Sequence, residues 1–306
     1  MDRWLFIDDG PATGAENMAR DEFLLARAEA VGGAPILRLY SFHPPAITIG
    51  YHQEIERALD LEAVRSDAVD VARRVTGGRA LLHDGELTYC VVAPNAAIRG
   101  EARASGIFLG ISRALSAALR SIGVDAEVAR GARGGRPAGA AAPCLLSTTR
   151  YELAARGRKI AGSAQRAMRG AFLQHGSILL TPGSARIARY ARGPQCSLAG
   201  RITSVSEELG GEIPARELRA AIRDAFAETF RIDWAPFALS PGDEGEVRRM
   251  ALAKGREFPD AAKREARCMV PAGEREFPDA AELDVRRAAR AGEREFRDVP
   301  EQEVRR

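Results

Sequence analysis

The sequence predicts an α+β fold with a mixed, largely antiparallel sheet flanked by helices. Strand-like runs follow one another in groups, within residues 34–51, 69–94 and 150–180. Helical patterns separate these groups and do not alternate strictly with single strands, as a parallel βαβ fold would require. With 306 residues, of which 45% are hydrophobic, the chain can bury a sizeable core.

The first elements are predicted to be a strand, a helix and two further strands. A strand is predicted at "RWLFIDDG", before the helix, and Thr13 and Glu16 form a T-x-x-E capping box that begins the helix. Apolar residues then recur at helical spacing until the glycine pair 32–33 ends it. Residues 34–51 predict two strands joined across "HPP", and a helix around 55–66 follows.

The middle of the chain mixes strands and helices. Residues 69–94 contain two β-like runs separated by a glycine turn and a polar loop, and residues 105–122 carry apolar side chains at helical spacing. A Gly/Ala/Arg/Pro stretch at 129–144 predicts a mobile surface loop. Strands resume within 150–180, with a turn at "ARGR", and residues 214–231 predict an amphipathic helix.

The predicted organisation is one domain over residues 1–240 and a charged tail over residues 241–306. "KGREFPDAA", "EREFPDAA" and "EREFRDV" recur in the tail with a 19-residue period. A period of this length can indicate a solenoid, but one Phe per unit is too little to build a continuous core. The tail therefore predicts a partly helical or disordered appendage, and a docking segment for a partner is the alternative.

The composition argues against several functional classes. The net charge is only +3, and the many arginines occur without the basic and aromatic stripe of a nucleic-acid surface. No run approaches the roughly 18 apolar residues of a membrane helix, and the acidic start does not resemble a signal peptide, which predicts a cytoplasmic protein. The four cysteines fit neither a disulfide framework nor the spacing of a metal site.

One lysine is unusual in this chain. Of the 45 basic residues only Lys159, Lys254 and Lys263 are not arginine, and Lys159 lies in "GRKIAGSAQ". Where arginine replaces lysine almost everywhere, a retained lysine suggests a site that needs a compact, rotatable ammonium group.

Three other segments contain candidate functional groups. In "RRVTGGRALLH" two glycines allow backbone N–H groups to approach a ligand oxygen, although such a pair is also a common hairpin turn. His83 and His175 are each either a general base or a hydrogen-bonded structural residue. Cys144 is a nucleophile if an ammonium lies beside it, and otherwise an inert half-buried thiol.

Taken together, five segments resemble one known family. "NMARDEFLL", "AITIGYHQ", "RRVTGGRALLHDGELTYCVV", "YELAARGRKIAGSAQ" and "QHGSIL" have the order and spacing of the lipoate-protein ligase and octanoyltransferase family, over roughly residues 1–240. The resemblance implies a catalytic domain related to that of biotin-protein ligase, with an apolar acyl channel beside the "RRVTGGR" loop. It also implies that Lys159 reaches the acyl carbonyl and stabilises the oxyanion. The implied substrate-binding residues are Arg73, Arg74, Thr76, Gly77, Gly78, Arg79, His83, Gly162, Ser163, Ala164, His175 and Gly176.

Within this family the motifs favour the cysteine-dependent transferases. Ligases usually have "GGGA" in the glycine loop, whereas this chain has "GGRALLHDGELTYC" with Arg79, and Cys144 precedes the "YEL" strand. The sequence departs from the transferase pattern at Leu145, where Phe is usual, and at Cys90, where Ser is common.

The resemblance therefore implies an octanoyltransferase with Cys144 and Lys159 as its catalytic pair. Cys144 would take octanoate from acyl carrier protein and pass it to the target lysine of a lipoyl domain, such as glycine-cleavage H protein, without ATP or metal. The alternatives are a lipoate-protein ligase that uses ATP and Mg²⁺ and an amidotransferase that works between lipoyl domains. A non-catalytic lipoyl-domain or nucleic-acid binder is the alternative from another class.

Overall fold

The computed structural model describes residues 2–97, 104–129, 152–192 and 200–258. The strands in these ranges are β1 (Asp2–Ala12), β2 (Ile36–Phe42), β3 (Ala46–Ile49), β4 (Asp70–Arg73), β5 (Leu81–His83), β6 (Glu86–Pro94), β7 (Ala126–Val128), β8 (Leu153–Ala155), β9 (Arg158–Ala167), β10 (Ala171–Leu179) and β11 (Ile232–Pro236). The helices are α1 (Gly14–Val31), α2 (Ile55–Ala58), α3 (Leu61–Ser66), α4 (Ala104–Ser121), α5 (Val205–Leu209), α6 (Ala215–Phe230) and α7 (Pro241–Glu257). The predicted loop at 129–144 lies outside these ranges apart from its first residue.

Eight strands form one large mixed sheet in the order β11-β1-β2-β6-β10-β9-β8-β7. β1 is parallel to both of its neighbours, β11 and β2. The remaining neighbours, from β2 to β7, pair antiparallel. The predicted mixed, largely antiparallel sheet is confirmed. Strand β11 was not predicted. Its sequence, "IDWAP", has little of the alternation typical of strands, and it lies at the edge of the sheet, where it pairs with β1.

Helices α4 and α6 cover one face of the large sheet. The apolar residues Leu115 and Ala118 of α4 and Ile222 of α6 pack in one buried cluster with side chains of β2, β6, β9 and β10. Both helices were predicted from apolar spacing, and burial of that stripe against the sheet is the force that holds them.

Helix α1 packs on the opposite face of the sheet, beside a second, smaller sheet. Met18 and Leu25 of α1 join a buried cluster with Tyr40 and Leu173 of the large sheet. The helix begins as predicted, because the Thr13 hydroxyl accepts a hydrogen bond from the N–H of Glu16 and the Glu16 carboxylate accepts one from Thr13.

The small sheet holds the glycine segment. Its strand order is β4-β3-β5, with β3 parallel to β4 and antiparallel to β5. The prediction of two β-like runs within 69–94 was therefore incomplete, since this segment forms three strands. The glycine turn does not close a hairpin, because β4 and β5 lie on either side of β3 and do not pair with each other.

Residues 55–66 differ from their prediction, whereas the turn between β8 and β9 agrees with it. The helix predicted around 55–66 is instead two short helices, because Asp60 caps α3 through hydrogen bonds from the N–H groups of Glu62 and Ala63. The turn predicted at "ARGR" is confirmed: Arg156 and Gly157 have φ values of 49° and 73° and connect β8 to β9.

The segment after residue 240 begins with a helix that packs on the domain. Val247 and Ala251 of α7 are buried against Ala19 of α1, and the Arg20 guanidinium donates two hydrogen bonds of 2.8 Å to Glu244. Residues 241–258 are thus a helix packed on the domain, within the segment for which a partly helical or disordered appendage was predicted. The rest of the predicted tail lies outside the described residues.

Candidate active site

Lys159 lies in β9 at a β-bulge. Leu153 pairs with Ala161 and Ala154 pairs with Lys159, so that β9 has one residue, Ile160, in excess of β8. Ile160 and Ala161 both pack into the cluster under α4 and α6. The Lys159 side chain consequently points to the other face of the sheet, the face that carries the small sheet.

Lys159 forms a buried ion pair on this face. Its Nζ donates a hydrogen bond of 2.7 Å to Oε1 of Glu152, and the two side chains are 1% and 2% exposed. An isolated charge buried to this extent costs several kcal/mol, so the carboxylate is needed to keep the ammonium there. Cε and Nζ of Lys159 also lie 3.3 and 3.5 Å from where a Cβ on Gly162 would be. The glycine therefore leaves room for the lysine stem.

The backbone of Lys159 is held from a second side. Its N–H donates to the carbonyl of Arg201, and its own carbonyl accepts from the N–H of Thr203, both at 2.9 Å. The Thr203 hydroxyl in turn donates to Glu208. Residues 201–203 thus fix the main chain at the lysine, while the stem of the side chain keeps its rotatable bonds.

The glycine loop, residues 74–79, is braced by Arg74 from inside the protein. The Arg74 guanidinium donates to the carbonyls of Gly77 and Arg79, and on its other side to the carbonyl of Thr48. A Cβ on Gly50 would lie 2.1 Å from the carbonyl oxygen of Gly78, so only glycine permits this approach. Arg74, one of the implied substrate-binding residues, thus donates to carbonyls of the loop and of β3.

Arg73 is used inside the protein in the same way. Its Nη1 donates to the carbonyls of Gly50, Tyr51 and Gln53, and its Nε donates to Glu257 at 2.5 Å. These contacts hold Arg73 against residues 50–53 and the end of α7. Arg79, the third arginine of this segment, is half-buried.

His175 connects the large sheet to the glycine loop. Its Nε2 lies 2.7 Å from the Thr76 hydroxyl and its Nδ1 lies 2.8 Å from Asp21 Oδ2. Asp21 also accepts hydrogen bonds from Arg38 and Tyr40. Burial alone would raise the pKa of Asp21, but the hydrogen bond with His175 and the charge of Arg38 outweigh it and lower that pKa. His175 is thus held between a hydroxyl group and a carboxylate.

His83 lies in a similar set of partners in the small sheet. Its Nε2 lies 2.8 Å from the Thr48 hydroxyl, its Nδ1 lies 3.1 Å from Glu86, and its ring stacks on Phe42. Burial lowers the pKa of His83 and outweighs the opposing effect of Glu86. Ser177, which pairs with Gly162 in β9, lies 3.4 Å from the same ring and links His83 to the face that carries Lys159.

Two predicted site residues lie on the opposite face of the sheet. The Ser163 hydroxyl bonds to the Tyr89 hydroxyl at 2.7 Å, and Tyr89 belongs to the cluster under α4 and α6. Gly176 faces the same pair, since a Cβ there would meet Ser163 and Tyr89 within 3 Å. Ala164 pairs with His175 in the neighbouring strand. The structure therefore brings Lys159, Gly162, Thr76, His83 and His175 to one face and separates Ser163 from them.

The cysteines divide into one that is described and three that are not. Cys90 is buried in β6, and burial raises the pKa of its thiol well above the ordinary value. A thiol of this kind is a poor nucleophile at neutral pH. Cys144, Cys196 and Cys268 lie outside the described residues.

Three residues of this region were missed by sequence reasoning: Glu152, Asp21 and Arg38. Asp21 falls at i+3 from Met18 and at i−4 from Leu25, on the apolar side of α1, and a charge on that side is a signal of a buried partner. The sequence gives a weaker indication for Glu152, because this residue lies in a β-like run and the sequence does not show which face of that run is buried.

The described residues contain neither a metal-binding cluster nor a membrane-spanning helix. Among them there is no group of three or more His, Cys, Asp or Glu side chains placed to hold a metal ion. No helix in the same ranges is long and apolar enough to cross a membrane.

A separate cleft lies at the other end of the large sheet. It measures about 620 Å³ and lies beside β1 and β11, lined by Phe6, Trp234 and Phe237 together with charged side chains. β9, which carries Lys159, is separated from β11 by four strands. This cleft is therefore not part of the lysine site.

The chain is similar in sequence to a known domain and to named enzymes. Residues 13–227 match the lipoyl protein ligase A/B catalytic domain. The chain is 35% identical to octanoyltransferase LipM of Moorella thermoacetica, over 81% of this chain and 93% of the relative. It is 38% identical to octanoyltransferase LipM of Symbiobacterium thermophilum, over 82% and 95%.

Solved structures share the fold. A lipoate-protein ligase A bound with ATP is 26% identical, with a TM-score of 0.68 over 85% of this chain and 99% of that chain. The bipartite lipoate protein ligase studied with its E2 lipoyl domain from Thermoplasma acidophilum is 25% identical, with a TM-score of 0.67 over 85% and 96%. The fold expected from the motifs is thereby confirmed.

Proposed function

The chain belongs to the lipoyl protein ligase A/B catalytic domain family and is an octanoyltransferase of lipoate biosynthesis, and we propose that it works through a thioester on Cys144. The donor is octanoyl-acyl carrier protein, and the acceptor is the target lysine of a lipoyl domain, such as that of glycine-cleavage H protein. The observation that carries this proposal is the buried Lys159–Glu152 pair on the face that also carries the glycine loop.

In the first half-reaction the Cys144 thiolate attacks the carbonyl carbon of the donor thioester. Negative charge develops on the carbonyl oxygen, and the Lys159 ammonium stabilises it. The C–S bond to the phosphopantetheine group then breaks, its sulfur leaves as a thiolate that takes up a proton, and octanoate remains on Cys144.

In the second half-reaction the amine of the acceptor lysine attacks the Cys144 thioester. The same ammonium stabilises the second oxyanion, the Cys144 thiolate leaves, and the nitrogen loses a proton as the amide forms. Two successive oxyanions at different positions favour a charge on a flexible stem over a planar fork.

Glu152 positions the ammonium between these steps. Because its carboxylate lies 2.7 Å from Nζ, it keeps the cation at the site without a bound substrate. The bulge at Ile160 turns the stem to the face of the sheet that carries the glycine loop, and the missing side chain of Gly162 leaves room for it. Thr76 and Arg74 hold that loop in a fixed shape for the acyl chain.

The proposed reaction needs neither ATP nor a metal ion. The thioester of the donor is already an activated acyl group, so no adenylate has to be made. The second candidate is a ligase that uses ATP and Mg²⁺, which the similarity to the ATP-bound ligase A favours. Lipoate-dependent exchange of pyrophosphate into ATP distinguishes the two, and we expect none. Octanoylated H protein as a donor tests the third candidate, an amidotransferase.

The deciding experiment is intact-mass spectrometry after mixing the enzyme with octanoyl-acyl carrier protein. We expect one octanoyl adduct, which is absent in Cys144→Ser. The matched control is Cys90→Ser, which removes a buried thiol and should keep the adduct. An adduct that persists in Cys144→Ser would exclude Cys144 as the nucleophile.

A further inference from the structure

The C-terminal end of α7 and the residue after it contain the first copy of the repeated sequence and contact Arg73, the residue that precedes the glycine loop. Glu257 accepts a hydrogen bond from Arg73 Nε. Phe258 packs against the buried apolar cluster of the small sheet, and the Arg73 guanidinium carbon lies 5.7 Å from the centre of its ring. We call Arg73 and this apolar surface the Arg73 receptor.

The Arg73 receptor is connected to the proposed acyl pocket. The Arg73 Nη1 group donates to the carbonyls of Gly50, Tyr51 and Gln53. The N–H of Tyr51 donates to the carbonyl of Thr76 at 2.9 Å, inside the glycine loop. Whatever occupies the receptor therefore helps to fix the orientation of Arg73 and, through it, the loop.

The sequence contains two more copies of the element that fills the receptor. Residues 256–262 and 275–281 are identical, "REFPDAA", and "REF" occurs again at 294–296. Each copy presents a carboxylate followed directly by a phenyl ring, the two groups that contact Arg73 in the first copy. The second and third copies lie outside the described residues.

We propose that the Arg73 receptor binds any of the three Arg-Glu-Phe copies of its own chain, so that residues 275–277 or 294–296 replace residues 256–258. The Arg73–Glu257 pair is partly exposed, with side chains 22% and 36% accessible, and such pairs are weak enough to exchange. Helix ends also open at small cost.

Chain length permits this exchange. The second copy follows the first after residues 259–274, and that link starts at the receptor itself. A short link gives a tethered group an effective concentration in the millimolar range, and the entropic cost of closing a loop grows only slowly with its length. The repeat thus gives the glycine loop three interchangeable braces.

The test is amide hydrogen exchange of the full-length chain, read at Tyr51 and at Arg74, whose N–H groups bond to Thr76 and Ile49. Phe258→Ala should keep exchange within about twofold of the wild type, because the later copies replace the first. The triple variant Phe258→Ala/Phe277→Ala/Phe296→Ala should exchange about tenfold faster. The control, Phe277→Ala/Phe296→Ala, retains the first copy and should match the wild type.

Two exchange results would overturn the proposal. If Phe258→Ala alone exchanges as fast as the triple variant, only the first copy binds. If the triple variant matches the wild type, the Phe side chains do not brace the loop. The readout follows the loop itself and does not depend on how octanoate is transferred.

A second measurement does not require the triple variant to fold. In the Phe258→Ala chain, photoreactive benzoylphenylalanine replaces Phe277 and is irradiated. A cross-link to residues 47–59 or 69–82 at the mass of one chain supports the proposal. A cross-link between two chains, or none to these residues, contradicts it.

Discussion

Two buried ion pairs of this protein hold their cations in different ways. The Arg38 guanidinium donates to Asp9, Asn17 and Asp21, and its plane lies over the Tyr40 ring at 3.8 Å. The Lys159 ammonium lies 2.7 Å from Glu152, at the end of a four-carbon stem. The cation–carboxylate distance is 2.7 Å in both pairs, and all four side chains are at most 2% exposed.

The difference matches the roles that we propose for the two cations, structural for Arg38 and catalytic for Lys159. A planar fork bonded in several directions fixes α1, β2 and the His175 link in one arrangement. A single ammonium on a flexible stem can move by an ångström to follow a reacting oxygen. In a chain with 45 basic residues and only three lysines, this contrast supports the proposed role of Lys159.

The largest expected effect is on stability, at the arginine pair. Asp21→Asn leaves Arg38 buried without its main counter-charge, and we expect the free energy of unfolding to fall by about 3–5 kcal/mol. The melting temperature should drop by roughly 2–4 °C for each kcal/mol. The control is Glu54→Gln, at a highly exposed pair with Arg57, which should change little. If Asp21→Asn and Glu54→Gln both lowered the free energy of unfolding by a similarly small amount, the structural role of the arginine pair would be contradicted.

The next effect is on catalysis, at the lysine pair. Lys159→Arg keeps the charge but replaces the mobile point charge by a fork, and we expect kcat for octanoyl transfer to fall by about 10²–10³. The matched variant Arg38→Lys, measured below its melting transition, should keep most of its kcat and lose stability instead. A Lys159→Arg enzyme with the kcat of the wild type would refute the division of roles.

A smaller effect is expected from the positioning carboxylate. Glu152→Gln keeps a hydrogen-bond acceptor for Lys159 but removes its counter-charge, so that the ammonium is less well placed. We expect acyl-enzyme formation, followed by rapid quench, to slow about tenfold while KM changes less. Glu127→Gln, an exposed carboxylate on the neighbouring strand β7, is the control. A change in KM alone would mean that Glu152 contributes to substrate binding and not to positioning.

The smallest expected effect is a loss of stability in acid at the Asp21–Arg38 pair, which is absent near neutral pH. The pKa of Asp21 in the folded protein lies below its ordinary value of 3.8, so its contribution to stability is complete above that pH. As the pH falls through the folded pKa, the carboxylate takes up a proton and the contribution is lost. Urea unfolding between pH 3 and 6 should show this loss in the wild type and not in Asp21→Asn. Parallel profiles would show that Asp21 is not the group responsible.

Local patterns were sufficient for much of the fold. The capping box at Thr13 and Glu16 and the turn at Arg156–Gly157 depend on residues close in sequence, and both were predicted correctly. Strand β11 was missed because an edge strand needs little apolar alternation. The break between α2 and α3 was missed because it depends on a single residue, the capping Asp60.

The roles of the arginines in the glycine segment were beyond sequence reasoning. Arg73 and Arg74 stand beside two glycines, as ligand-binding residues often do. In the folded chain they bind carbonyls of residues 48–53 and 77–79. A guanidinium near glycines has the same sequence pattern in both cases, and only the position of the carbonyls distinguishes them.

The sequence by itself determined the family, through five ordered motifs, and singled out Lys159, through the scarcity of lysine. The tertiary structure alone decided which side of the sheet this lysine faces, because one excess residue at Ile160 shifts the alternation of β9. It also decided that Glu152 neutralises the lysine and that His175 joins Asp21 to Thr76. Those contacts link residues up to 154 positions apart. Their cause is the packing of a sheet against a helix and a loop, which no local pattern encodes.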